Sequence, residues 1–105
     1  MKLFVLKQAE RELQKVPRDV RIDIQYCFER LESGKKLSMP ISRPLPEITK
    51  GLHELRISYK NGIYRVFYVI KLQNAIYILH FHKKKTQKID KKTRELILLR
   101  IRSIR

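Results

Sequence analysis

The sequence predicts an α+β fold, in which a small antiparallel sheet carries a helical hairpin on one face and is followed by a C-terminal helix. Two observations support this prediction. Apolar residues recur at helical spacing near both ends of the chain, and three consecutive strand-like segments joined by turn residues occupy its middle. The predicted element order is β-α-α-β-β-β-α, and the 105 residues suit one domain spanning positions 1–105.

The N-terminal helices follow a short apolar strand over residues 2–6. Pro17 separates two apolar stripes, because proline interrupts one helix and fits the first turn of the next. The first stripe is Ala9, Leu13 and Val16, and the second is Val20, Ile24, Cys27, Phe28 and Leu31. Two amphipathic helices joined by a tight break predict a hairpin that covers one face of the sheet.

Three strand-like segments, residues 52–59, 63–72 and 75–82, form the centre of the predicted sheet. They alternate or are rich in β-branched and aromatic residues, and the turns fall at residues 60–62 and 73–74. Successive hairpins make the strands antiparallel, and we expect the first strand to join the same sheet.

Two further segments flank this meander. Residues 35–51 contain three prolines and are predicted to form an extended connector. After the meander, Asp90 is a suitable N-cap for a final helix, in which Ile97, Ile101 and Ile104 follow helical spacing.

The charge of the chain indicates a polyanionic partner. The formal net charge is +15 and the isoelectric point is about 10.3. Residues 1–32 contribute only +1, whereas residues 83–105 contribute +8. The N-terminal third is therefore expected to be structural, and the remainder to carry an electropositive field suited to nucleic acid.

Several classes of protein are disfavoured by composition. The single Cys27 excludes an intrachain disulfide and is typical of a reducing compartment. No apolar run approaches the ~20 residues of a membrane span, so we expect a cytoplasmic protein without a membrane partner. His53, His80 and His82 lack the cysteine and carboxylate neighbours of a metal site, and no glycine-rich phosphate loop is present, so we expect neither a metal nor another cofactor.

The chemistry that remains is metal-free cleavage of RNA, in which the RNA supplies its own 2′-hydroxyl as nucleophile. Arginine matches phosphate oxygens bidentately, crowded lysines supply positive charge or a proton, and histidine titrates near neutrality. The candidate catalytic residues are Arg65, Lys84, Arg56, His82 and Lys85, and the candidate RNA-binding residues are Lys83, Lys88, Lys91 and Lys92. Structural interpretations stay open: Arg65 could pair with Glu54 or Glu47, and His80 and His82 could be structural or solvent-facing.

Three sequence blocks carry a resemblance to a known family: residues 51–57 (GLHELRI), 64–68 (YRVFY) and 79–88 (LHFHKKKTQK). In this order and spacing they resemble the RelE/ParE toxin superfamily, and more narrowly its phage-derived, HigB-like branch. The resemblance implies the toxin of a type II toxin–antitoxin system, a metal-independent endoribonuclease that cuts mRNA on the ribosome. It also implies a cognate antitoxin, often with a helix-turn-helix domain, through which alone the toxin reaches operator DNA.

The resemblance carries over residue by residue. It implies that Arg65 is the transition-state arginine, with Arg56 on the preceding strand and Lys84, beside Lys85, after the last strand. Glu54 stands where some relatives have lysine, and the C-terminal tyrosine of some relatives has no counterpart, so His82 or a lysine is the substitute for proton transfer. A ParE-like gyrase inhibitor and a non-catalytic nucleic-acid-binding module remain alternatives, because a shared fold does not choose between them.

Overall fold

The computed structural model describes residues 1–60, 62–71, 75–84 and 88–104, with the backbone alone at Lys84. The elements within these residues are β1 (Lys2–Val5), α1 (Lys7–Leu13), α2 (Arg18–Glu32), β2 (Ser42–Pro44), β3 (Leu52–Tyr59), β4 (Gly62–Lys71), β5 (Ala75–Lys84) and α3 (Lys91–Arg102). The predicted α+β class and element order are confirmed, with β2 as an addition. The predicted turn residues Asn61, Gln73 and Asn74 lie outside the described residues.

The strands form one sheet in the order β1-β5-β4-β3-β2. The three central strands are antiparallel, as hairpin connections require. β1, however, pairs with β5 in parallel, with Lys2 opposite Ala75 and Val5 opposite Ile78. The sheet is therefore mixed, and the expectation of an antiparallel sheet fails at this strand. The reason is that most of the chain separates β1 from β5, so no tight turn sets their relative direction.

The short strand β2 was expected to be part of an extended connector. Its three residues pair with β3 at the edge of the sheet, where Pro44 removes no hydrogen bond from a central ladder. The buried Ser42 hydroxyl lies 2.7 Å from the hydroxyl of Tyr68 on β4, and this contact fastens β2 to the sheet. β2 also brings Arg43 opposite Glu54.

The helical hairpin covers one face of the sheet, as predicted. The apolar side of α2 is buried, and it packs with Ala9 of α1 against residues of the central strands. This first core includes Val20, Ile24, Cys27, Phe28 and Leu31 from α2, and Leu55, Val66, Ile78 and Phe81 from the sheet. The helices thus leave the opposite face of β3, β4 and β5 for other contacts.

α3 packs on that opposite face. Its buried Ile97 joins a second core with Leu52, Phe67, Val69 and Leu79. The predicted N-cap is confirmed, because the Asp90 carboxylate accepts a hydrogen bond from the Thr93 N–H at 2.8 Å. Within the described part of the chain, no helix has both the length and the apolar character that crossing a membrane requires.

A β-bulge in β5 changes which side chains reach each face. Phe67 pairs with His80, but the next residue, Tyr68, pairs with Ile78, so Leu79 is the extra residue. Ile78 consequently faces the helical hairpin, whereas His80 stacks on Phe67 on the α3 face, with ring centroids 6.1 Å apart. The bulge lets one strand contribute to the apolar core at one end and to a polar surface at the other.

We expect Gly51→Ala to destabilise the protein more than Gly34→Ala does. Both glycines have positive φ, +85° and +86°, but a Cβ at Gly51 would lie 2.8 Å from the Ile70 carbonyl oxygen, whereas a Cβ at Gly34 would meet nothing within 4 Å. The backbone conformation alone accounts for about 1 to 2 kcal/mol at Gly34, and the clash adds about 1 to 3 kcal/mol at Gly51. Urea unfolding of both variants measures the difference, and equal losses would contradict the close approach at Gly51.

Candidate functional site

Three of the predicted catalytic residues form a row across the centre of the sheet. Arg56 on β3 pairs with Arg65 on β4, and Arg65 pairs with His82 on β5. Their neighbours Phe67 and His80 form the next row on the same face. α3 and the second core occupy one half of this face, and the row lies in the other half. Adjacent strands therefore hold two guanidinium groups and an imidazole at fixed spacing.

The buried carboxylate of Glu54 organises the arginines of this site. Arg65 Nη1 donates to Glu54 Oε2 at 2.7 Å. Arg43 Nη2 lies 3.3 Å and Arg56 Nε 3.9 Å from the other carboxylate oxygen, Oε1. The Glu54 side chain is fully buried, so among the described residues its negative charge is compensated by guanidinium groups from β2, β3 and β4.

The three arginines differ in burial: one is inside the protein and two lie nearer its surface. The Arg65 side chain is 2% exposed, whereas those of Arg56 and Arg43 are 17% and 36% exposed. The contact between Arg65 and Glu54 is the structural pairing that the sequence left open. Arg65 as the transition-state arginine stays a prediction, but in this arrangement an incoming phosphate meets Arg56 and Arg43 more directly.

The cluster retains positive charge after this pairing. Arg43, Arg56 and Arg65 carry three positive charges around the single carboxylate of Glu54. Because these groups lie at the protein surface or below it, where charges are less screened than in water, their excess charge favours an anion. Planar guanidinium groups also match the geometry of phosphate oxygens. The site is therefore chemically suited to a phosphodiester.

A second polar network joins α1, β5 and α3 beside the row. Arg100 of α3 binds the Glu12 carboxylate of α1 bidentately, with Nη1–Oε1 and Nη2–Oε2 distances of 2.9 and 3.0 Å. Glu12 Oε1 also lies 2.9 Å from His80 Nδ1 and accepts the Phe81 N–H at 3.2 Å. Arg100 Nη1 donates further to the Leu79 carbonyl oxygen at 2.8 Å. The network thus fixes His80 at the strand where the bulge occurs.

The environment of Glu12 strongly favours its ionised form. Burial alone would raise its pKa, but the hydrogen bonds from His80 and Arg100 outweigh burial and lower the pKa from 4.5 to about 2. Glu12 is consequently a carboxylate at neutral pH, and it can accept a hydrogen bond from His80 Nδ1.

The predicted lysines are distributed differently from the row. Lys83 pairs with Tyr64, its Nζ lies 5.6 Å from the centre of the Tyr64 ring, and it therefore lies on the hairpin face, away from His82. Lys84 is the last residue of β5 and pairs with Ile63. The side chain of Lys84 and the whole of Lys85 lie outside the described part of the structure. Lys88 and the first residues of α3, Lys91 and Lys92, are exposed. The structure thus assembles the arginines and His82 but leaves the lysine contribution a prediction.

A cavity of about 510 Å³ opens between α2 and the β3–β4 hairpin, and Arg56 is the residue of the row that lines it. Arg56 forms part of its wall, together with Ile57, Ser58 and Ile63 of the β3–β4 hairpin and with Asp23, Tyr26 and Cys27 of α2. The space is large enough for a nucleotide. Among residues 1–60, 62–71, 75–84 and 88–104, no group of three or more histidine, cysteine, aspartate or glutamate side chains is placed to hold a metal ion.

The sequence did not identify three contributors to these networks. Glu12 and Arg100 lie 68 and 20 positions from His80, and no periodicity connects positions so far apart. Arg43 belongs to the segment that was expected to be a connector. Glu54 was noted only as a lost charge or a partner for Arg65, whereas the structure places it beneath the whole arginine group. In the sequence, the scarcity of acidic residues near the strands was the feature that pointed to a special role for Glu54.

The chain matches the model of a known protein family. The family model described as "Phage derived protein Gp49-like (DUF891)" matches residues 11–102, which include both polar networks and all of the central strands. A search of curated proteins finds no match.

Replacing Glu54 by alanine is expected to destabilise the protein by about 3 to 5 kcal/mol, because the buried guanidinium of Arg65 loses its counter-charge. The matched control is Glu95→Ala, which removes an exposed carboxylate 4.0 Å from Lys91 and is expected to cost less than about 0.5 kcal/mol. Chemical denaturation of both variants measures the contrast. A Glu54→Ala protein as stable as the control would contradict the compensating role of the buried carboxylate.

The protein should lose stability in acid through Glu12, and Glu12→Gln should remove that part of the pH dependence. Because the folded-state pKa of Glu12 is lowered to about 2, its contribution is complete above pH 4.5 and disappears as the pH falls toward 2. Because solvent screens this partly exposed group, we expect Glu12→Gln to be less stable at pH 6 by only about 1 to 2 kcal/mol and to approach the wild type near pH 2. Thermal unfolding between pH 2 and 6 tests this. A constant difference across that range would contradict it.

Proposed function

The chain belongs to the Gp49-like family of phage-derived proteins, and from this premise we propose that it is the toxin of a type II toxin–antitoxin system, which cleaves mRNA on the ribosome without a metal ion. One observation carries the proposal: Arg56, Arg65 and His82 stand in one row on the central strands, with positive charge in excess of the buried Glu54. The three sequence blocks that resemble RelE- and HigB-like toxins contain all of these residues.

The proposed reaction uses the RNA's own nucleophile. The 2′-oxygen attacks the adjacent phosphorus, the bond from phosphorus to the 5′-oxygen breaks, and the products are a 2′,3′-cyclic phosphate and a 5′-hydroxyl. The His82 imidazole takes the proton of the 2′-hydroxyl, and an ammonium group of Lys84 or Lys85 protonates the departing 5′-oxygen. Arg56 stabilises the charge that grows on the non-bridging oxygens. Arg65 supports this geometry from below through Glu54.

The substrate is proposed to be mRNA bound to the ribosome rather than free RNA. The exposed Lys88, Lys91 and Lys92 provide phosphate contacts to ribosomal RNA, since they belong to the most basic segment of the chain, residues 83–105. The cavity beside Arg56 gives room for a nucleotide flanking the scissile phosphate. Such a protein acts in the cytoplasm, where its substrate is.

A cognate antitoxin is the proposed protein partner. A surface this basic attracts an acidic or amphipathic segment, and charge complementarity would accelerate the encounter. Following the resemblance, we propose that the antitoxin carries a helix-turn-helix domain and that operator DNA is contacted through it alone. The toxin itself would then bind RNA and antitoxin, but no membrane.

We predict that Arg56→Ala lowers the rate of ribosome-dependent mRNA cleavage by about 10²- to 10³-fold, the usual effect of removing one donor that stabilises developing charge. Growth arrest after induction in a bacterial host should disappear with it. Arg56 is preferred to Arg65 for this test because it is more exposed, so its loss disturbs the buried pair with Glu54 less. Cleavage is measured by primer extension on mRNA in a purified translation system.

The matched control is Arg11→Ala, which removes an exposed arginine from α1, far from the row in sequence, and should leave cleavage unchanged. Circular dichroism establishes that both variants fold. Undiminished cleavage by the Arg56→Ala protein would contradict its assignment. Intact mRNA together with an SOS response after induction of the wild type would instead favour inhibition of DNA gyrase, and intact mRNA without that response a non-catalytic binding module.

A further inference from the structure

The Nδ1 atom of His80 has two polar neighbours of opposite kind. Glu12 Oε1, which can only accept a proton, lies 2.9 Å away, and Arg100 Nη1, which can only donate, lies 3.3 Å away. The carboxylate is closer, and it remains ionised because its pKa is lowered to about 2. Nδ1 therefore carries a proton and donates a hydrogen bond to Glu12, so Nε2 is the nitrogen without a proton when the ring carries only one.

Arg100 balances the charge of Glu12 in this arrangement. The bidentate contact, with distances of 2.9 and 3.0 Å, places one positive charge against one negative charge. The Arg100 contact also fixes the Glu12 carboxylate in position, so that Oε1 stays within hydrogen-bond distance of His80 Nδ1. The remaining face of His80 stacks on the uncharged Phe67 of β4.

His80 in turn lies against the imidazole for which proton transfer is proposed. The centroids of the His80 and His82 rings are 5.3 Å apart, and His82 pairs with Arg65 in the row. At this distance a fixed His80 ring limits the orientations that the His82 ring can adopt. The position of His80 therefore bears directly on where His82 presents its ring nitrogens.

We propose that Glu12 and Arg100 are positioning residues of this site: together they hold the His80 ring in place with a proton on Nδ1, so that His82 beside it is oriented to take up the proton of the 2′-hydroxyl. This inference rests on the proposed function. It assigns roles to two helices outside the central strands, because α1 supplies the carboxylate and α3 supplies the guanidinium. The charged or titratable groups that the described elements place against His80 are Glu12, Arg100 and His82.

The protonated nitrogen can be observed directly in the isolated protein. Two-bond ¹H–¹⁵N correlation spectra distinguish the two neutral forms of a histidine, and we expect His80 to carry its proton on Nδ1. In Glu12→Ala the neighbour that remains, Arg100, is a donor, so Nδ1 must accept and the proton moves to Nε2. In Glu12→Gln the side-chain oxygen still accepts, so the proton stays on Nδ1. Arg100→Ala, in which the carboxylate remains, also keeps a proton on Nδ1.

The cleavage assay then separates positioning from stability. Loss of a partner that orients a functional histidine typically costs about 10- to 100-fold, so we expect Glu12→Ala to cleave at least about tenfold more slowly, with ribosome binding unchanged. Glu12→Gln, which loses the ion pair with Arg100 but keeps the acceptor, should cleave at nearly the wild-type rate. A purely structural role would instead make cleavage follow the thermal stability of the two variants.

The outcomes distinguish the inference from the function on which it rests. A wild-type protein that cleaves no ribosome-bound mRNA overturns the proposed function, and the positioning role with it, whatever the state of His80. An active wild type in which His80 carries its proton on Nε2 overturns the positioning role alone. The same conclusion follows if Glu12→Ala cleaves as fast as Glu12→Gln, or if both lose cleavage in proportion to their stability.

Discussion

The placement of one buried carboxylate beneath a group of arginines is the constraint on which the rest of this structure depends. A guanidinium as buried as that of Arg65 is tolerated only when its charge is compensated, and Glu54 provides that compensation at 2.7 Å. Because the same carboxylate also lies near Arg43 and Arg56, one negative charge fixes the positions of several cations without cancelling them. Stability and anion affinity are thus built in part from the same contacts.

The sheet holds the charged side chains of this arrangement on a rigid backbone. Strands spaced by backbone hydrogen bonds set the distances between Arg56, Arg65 and His82, so little conformational entropy is lost when a phosphate binds. The edge strand β2 adds Arg43, and the network of Glu12, His80 and Arg100 ties both flanking helices to β5. Elements that in many small domains serve only to cover a core here also hold polar groups of the candidate site.

Local patterns in the sequence predicted most of the fold, and part of the site. The strand Leu52–Tyr59 follows from its alternation, and the start of α3 follows from Asp90, whose carboxylate caps it. The alignment of Arg56, Arg65 and His82 was accessible in principle, since each lies on a predicted strand. The parallel pairing of β1 and the contact between Glu12 and His80 were not, because they join residues about 70 positions apart and depend on how the helices pack. Burial of Arg65 was also out of reach, since the sequence left its pairing with Glu54 open.

Because β5 contains an extra residue, the alternation of its side chains between the two faces of the sheet shifts at that residue. On the N-terminal side of Leu79, the alternation is set by the core against the helices; on the C-terminal side it is set by His80 and His82. Deleting one residue there would restore regular pairing, but the side chains on one side of the deletion would then point to the opposite face of the sheet. The number of residues in β5 is therefore more tightly constrained than the identity of the side chain at position 79. Related chains should tolerate a different apolar residue there far better than a deletion.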